Sequence, residues 1–164
     1  MMVQTIVFII LSVVTLGAAL AVVTVKNLFH SALYLILSFV GVAGFYILLE
    51  APFLAAVQIL VYVGAIAVLI VFAIMLTRRL MAKDLVQRNS QWGWSALGAG
   101  LLFAVLIFTL IRVNWPVVED TVSAETITIL GKELMGTYVA PFEVASVLLL
   151  VALVGSIIIA REED

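Results

Sequence analysis

The sequence predicts an all-α fold: a polytopic membrane protein of five transmembrane helices, N-terminus outside and C-terminus cytoplasmic. Three observations predict it. Of the 164 residues, 66% are hydrophobic and 11% charged, with a mean hydropathy of +1.34. A soluble domain is about 45–50% apolar and about 25% charged, so this chain carries more apolar surface than a water-soluble core of its size can take in. The eight Lys/Arg and ten Asp/Glu are bunched between long uncharged runs, and in lipid such runs, lacking alternation, satisfy their backbone as helices rather than barrel strands. The basic residues also divide unevenly between alternate connections, which sets orientation. A soluble globular enzyme is excluded. The absence of cysteine excludes disulfides, thiolate-held metals and iron–sulfur clusters.

A bilayer core of about 30 Å needs about 20 residues at 1.5 Å each. Runs of that kind are 3–25, 28–49, 53–76, 95–111 and 142–160, within a single membrane domain, 1–164. The first has no basic residue before it, is longer than a signal-peptide core of about 7–15 residues, and is followed at once by a second span. It is expected to stay as an anchor. Lys26-Asn27 joins the first pair, with Asn27 as N-cap of the second helix. Glu50-Ala51-Pro52 joins the next, and Pro52 suits a helix start, where a missing N–H is tolerated. A basic loop, 77–94, leads to the fourth span. The segment 113–141 is too short for a domain; within it Ile127, Leu130 and Leu134 share one helical face, with Ser123 ahead and Gly136 behind. That pattern fits a short amphipathic helix at the outer surface. No internal repeat is visible, which weakens an inverted-repeat transporter.

Arg78, Arg79, Lys83 and Arg88 place the third connection inside, and strict alternation puts Lys26 and Arg161 with them, against Arg112 and Lys132 outside. Glu50, Glu119, Asp120, Glu125, Glu133 and Glu143 fall on the outer side. Trp92, Trp94 and Trp115 flank the fourth span as interfacial anchors. The basic loop is an orientation signal, or a contact for anionic lipid or a cytoplasmic partner.

No Asp, Glu, Lys, Arg or His lies near the middle of any span. Pumps and ion transporters use such groups as relay or binding site despite their cost, so this chain alone is a poor pump. There is no nucleotide, flavin or haem motif, and one histidine makes no metal site. Neither a catalytic residue nor a nucleic-acid partner is expected. On physical grounds the chain is part of something larger.

The third span holds the informative polar residues. Gln58 and Tyr62 are four apart and share a helical face; they serve either an interhelical hydrogen bond or a hydrated proton path. Gly64, near the midplane with Ala65 and Ala67, serves either close packing, as with Gly17/Ala21 and Gly41/Gly44, or a helix irregularity such as a π-bulge. Glu143, behind Pro141, is either a first-turn carboxylate favoured by the helix dipole or an outer-side proton group. Glu50 reads as an interfacial loop charge, and His30 as a cap or interfacial hydrogen-bonding residue rather than a pH switch.

Three stretches carry a resemblance: Ala56-Val57-Gln58-Ile59-Leu60-Val61-Tyr62-Val63-Gly64-Ala65 and onward to Leu76; Asn27-Leu28-Phe29-His30-Ser31-Ala32-Leu33; and Pro141-Phe142-Glu143-Val144-Ala145-Ser146 onward to Leu153. Together they resemble the subunit J family of respiratory complex I, the proton-translocating NADH:quinone oxidoreductase, whose mitochondrial counterpart is NADH dehydrogenase subunit 6. From Ala82 through Tyr138 only the layout matches. The resemblance implies a membrane-arm subunit without a redox centre of its own. Quinone, flavin and iron–sulfur clusters would belong to other subunits. The implied neighbours are the quinone-binding membrane subunit, the small subunit K and the antiporter-like subunits. The implied location is a prokaryotic plasma membrane or an organellar energy-coupling membrane. The resemblance also implies a third helix with a π-bulge beside Tyr62 and Gly64 that changes shape as quinone reduction drives proton movement. At the position of Gln58 some relatives carry glutamate, whereas the amide here hydrogen-bonds without titrating. The alternatives are a structural spacer, or a small subunit of a multi-subunit cation/proton antiporter.

Overall fold

The computed structural model describes residues 2–77, 91–114 and 125–161, and every regular element among them is helical. Five helices are long and apolar enough to cross a membrane: Met2–Thr24, Leu28–Leu48, Pro52–Thr77, Trp92–Arg112 and Val139–Ala160. Arg78, Arg79, Lys83, Arg88, Trp115, Glu119, Asp120 and Ser123 lie outside the described residues. The chain divides into two compact units, Met1–Glu119 and Asp120–Asp164.

In the first unit α1 (Met2–Thr24) and α2 (Leu28–Leu48) form an antiparallel hairpin. Asn27 caps α2: its side chain accepts from the Phe29 N–H at 3.0 Å, and the Ser31 hydroxyl crosses to the Val22 carbonyl. Further along, a Cβ placed on Gly41 would run into Thr15, and one on Gly44 would meet Leu11 Cδ2 at 2.7 Å. Beyond them the rings of Phe8 and Phe45 meet edge to face, 5.6 Å between centroids. The two α2 glycines thus let the backbones close, as small residues do between membrane helices, where dispersion rather than water exclusion drives association. Gly17 has no such neighbour among the described residues; none of them lies within 4 Å of its Cβ position. The small residue that α1 buries is Ala18. The Thr15 hydroxyl, pressed against Gly41, is buried without a hydrogen-bond partner among the described residues.

α2 ends in a Schellman closure: the Glu50 N–H donates to Ile47 and the Ala51 N–H to Tyr46. The motif places Glu50 in the left-handed region at φ 56°, where a β-carbon costs about 1 kcal/mol. Pro52 then opens the third span at a helix start. That span is built from α3 (Pro52–Val57), a π-helical segment (Gln58–Ile66) and α4 (Ala67–Thr77), all three packing on α2. Ala43, Ala55 and Ala67 are buried, Ala67 most of all.

α5 (Trp92–Arg112) begins a turn earlier than the sequence pattern placed it, so Trp92 and Trp94 lie in its first turn rather than before it, both exposed. In the second unit α6 (Thr126–Met135) packs on α7 (Val139–Ala160). The half-buried side of α6 runs through Thr126, Leu130 and Leu134, while Ile127 is exposed. Glu125 occupies the N-cap position and Gly136 the C-cap.

Candidate functional site

The third span changes its hydrogen-bond spacing in mid-course. Residues Pro52–Val57 form ordinary α-helix; from Gln58 to Ile66 each turn is one residue wider, with Tyr62 at the centre of the nine; α-helix resumes at Ala67. At the far end of this segment the Ala67 N–H donates to the Tyr62 carbonyl, five residues back. Wide turns of this kind are rare, and most are single. Nothing in the hydropathy marks the segment, because its residues are apolar on nearly every side. Its polar and small members do mark it: Gln58, Tyr62 and Gly64 all lie within it.

Gly64 decides between the two uses open to a mid-span glycine. No atom of another helix comes within 4 Å of its Cβ position; the one close neighbour is the Ile59 carbonyl of its own helix, at 3.3 Å. Gly64 is therefore not a packing glycine among the described residues. Its missing side chain leaves room for the wide turn itself. A glycine here also lowers the cost of leaving α-geometry, since it gives up about 1 kcal/mol of helix preference relative to alanine.

Gln58 and Tyr62 are brought together on one residue of α2. Gln58 is buried, and its Nε2 donates to the Phe39 carbonyl at a long 3.4 Å. Tyr62 packs its ring edge-to-face on the Phe39 ring, centroids 5.6 Å apart. Tyr62 is 42% exposed, and its hydroxyl forms no hydrogen bond among the described residues. Phe39 thus holds the start of the π segment by its carbonyl and the centre by its ring. Sequence reasoning missed it, since one phenylalanine on an apolar helix carries no signal of its own.

Glu143 belongs to the second unit. The sequence pattern placed it in the first turn of the last helix, but α7 begins at Val139, so Glu143 is its fifth residue and stands exposed in the second turn. Pro141 falls inside the first turn, where the N–H it lacks has no acceptor to lose. Most of the helix-dipole benefit to Glu143 is lost with that shift, because the effect fades beyond the first turn. His30 does not cap α2; Asn27 does, and the exposed imidazole lies edge-on to Phe29.

The side-chain geometry supports hydrogen bonding by Gln58 to α2, and no group of three or more metal-ligating side chains occurs among the described residues. Comparison with known proteins supplies the context. Residues 18–159 match the family model described as NADH-ubiquinone/plastoquinone oxidoreductase chain 6. NAD(P)H-quinone oxidoreductase chain 6 of Synechocystis is 43% identical, over 98% of this chain and 82% of that one. F(420)H(2) dehydrogenase subunit J of Methanosarcina mazei is 40% identical, over 98% and 92%. The chloroplastic NAD(P)H-quinone oxidoreductase subunit 6 of Mesostigma viride is 38% identical, over 99% and 86%.

Proposed function

The chain belongs to the NADH-ubiquinone/plastoquinone oxidoreductase chain 6 family, and on that premise we propose that it is the membrane-arm subunit through which quinone reduction is coupled to proton translocation. It is one subunit of a multi-subunit oxidoreductase and holds no complete active site. The names of its relatives carry two different electron donors, NAD(P)H and F(420)H(2), so the donor is a property of other subunits. Quinone, flavin and iron–sulfur clusters also reside there. Its neighbours are the quinone-binding membrane subunit, a subunit K-like small subunit and the antiporter-like subunits. The N-terminus faces the outer side, by the basic-residue count.

The observation that carries this reading is the nine-residue π segment centred on Tyr62. A helix with an inserted residue has a nearby alternative, the same residues at α spacing, separated by a rotation of everything beyond the insertion. Going from one to the other moves Tyr62 relative to Phe39 while α3, upstream, keeps its place. Such a two-position element is what coupling between distant sites requires. Tyr62 and Gln58 line the path whose hydration the change controls, and Glu143 serves as a proton group at the outer side. Gln58 and Tyr62 each only offer or withdraw a hydrogen bond to water.

Gly64→Val tests it. A β-branched side chain meets the Ile59 carbonyl in the wide turn and biases the helix toward α spacing. The complex should assemble and reduce quinone, while protons moved per electron pair fall severalfold. Normal pumping by an assembled Gly64→Val complex refutes the reading.

A further inference from the structure

In a regular helix every N–H finds one carbonyl, and a change of spacing upsets that pairing where it ends. At the far end of the π segment the Ala67 N–H is spent on the Tyr62 carbonyl. The π segment stops at Ile66 and the chain is α-helical from Ala67 to Thr77, so the next N–H, that of Val68, does not continue the five-residue spacing back to Val63. The Val63 carbonyl is thus passed over by both N–H groups. No described side chain donates to it. Val63 is half-buried and lies near the middle of the Pro52–Thr77 span, where lipid offers no donor and a bare carbonyl is costly. Interrupted membrane helices relieve this with ordered water or with side chains of neighbouring helices.

We propose that the Val63 carbonyl is a mid-membrane acceptor site that holds one hydrogen-bond donor, either a water molecule or an O–H or N–H group from a neighbouring subunit. The site exists only while the third span keeps its wide turns; at α spacing the Ala67 N–H takes the Val63 carbonyl and the donor is released. The acceptor follows from the backbone alone. Its coming and going during turnover rests on the coupling reading above.

The test is electron cryo-microscopy of the intact complex in lipid, at a resolution that shows ordered water. The expected result is density about 2.7–3.2 Å from the Val63 oxygen. Isolated density identifies water; density continuous with a side chain identifies a donor from the adjacent subunit. A lipid tail or apolar side chain against the carbonyl, with no donor in range, overturns the proposal. So does a map in which the Ala67 N–H already donates to Val63. The two readings fail separately: normal pumping by Gly64→Val sinks the coupling role and leaves the density in place, whereas missing density beside impaired pumping sinks only the acceptor site.

Discussion

α1 and the third span both pack along α2, and glycine matters at both contacts, but for different reasons. On the α1 side, Gly41 and Gly44 are small so that another helix can approach, Thr15 and Leu11 standing where their side chains would be. On the other side, no other helix among the described residues comes within 4 Å of the Gly64 Cβ position; what crowds it is the Ile59 carbonyl of its own backbone. The first contact is a fixed joint of small residues and interlocked side chains. The second contains a π-helical segment joined to Phe39 by a long amide hydrogen bond and an aromatic contact. The same residue type therefore serves close packing between helices in one place and a widened turn within its own helix in the other.

Four substitutions break or sharpen that contrast, beginning with the largest effect. Gly41→Val drives a branched side chain into Thr15 and should separate α1 from α2, at a cost of about 1–3 kcal/mol or more. Since the chain has no cysteine, cysteines introduced at Phe8 and Phe45 report the joint cleanly by disulfide trapping; cross-linking should fall, and the subunit should accumulate poorly in membranes. Gly64→Val should do the reverse, leaving that cross-link and assembly intact while pumping drops. If both variants failed in the same way, the distinction between the two contacts would be lost. Gln58→Leu removes one weak interhelical hydrogen bond, worth about 0.6 kcal/mol. Assembly measured by native electrophoresis should barely change, and proton stoichiometry should fall less than in Gly64→Val. Thr15→Val exchanges a hydroxyl that has no partner among the described residues for a methyl group of similar size. Thermal stability of the complex should stay within about 0.5 kcal/mol of the parent or rise slightly.

Much of this architecture was legible in the chain. Five spans stand out because charge is excluded from them, and Asn27, Pro52 and the α2 glycines announced their roles through chemistry that depends on immediate neighbours. The boundaries of α5 and α7 were misread by about a turn, since Trp92-Gly93-Trp94 and Pro141 read as flanking residues although the first turn of a helix tolerates both. The wide turns could be suspected at Gly64 but not read, because a helix apolar all round has no phase from which an extra residue can be counted. Phe39 was invisible for the same reason. Glu50 looked like a loop charge, and nothing in the sequence announced that it takes the left-handed position usually given to glycine.

Phe39 is engaged twice, at its carbonyl by Gln58 and at its ring by Tyr62, and these two attachments lie on the near end and the middle of the π segment. If the segment tightened by one residue, the amide bond upstream would persist while the aromatic contact turned away. The ring would then be free to swing without α2 itself unwinding. One benzyl group would thus act as a pointer, its rotamer registering the state of a helix to which it does not belong.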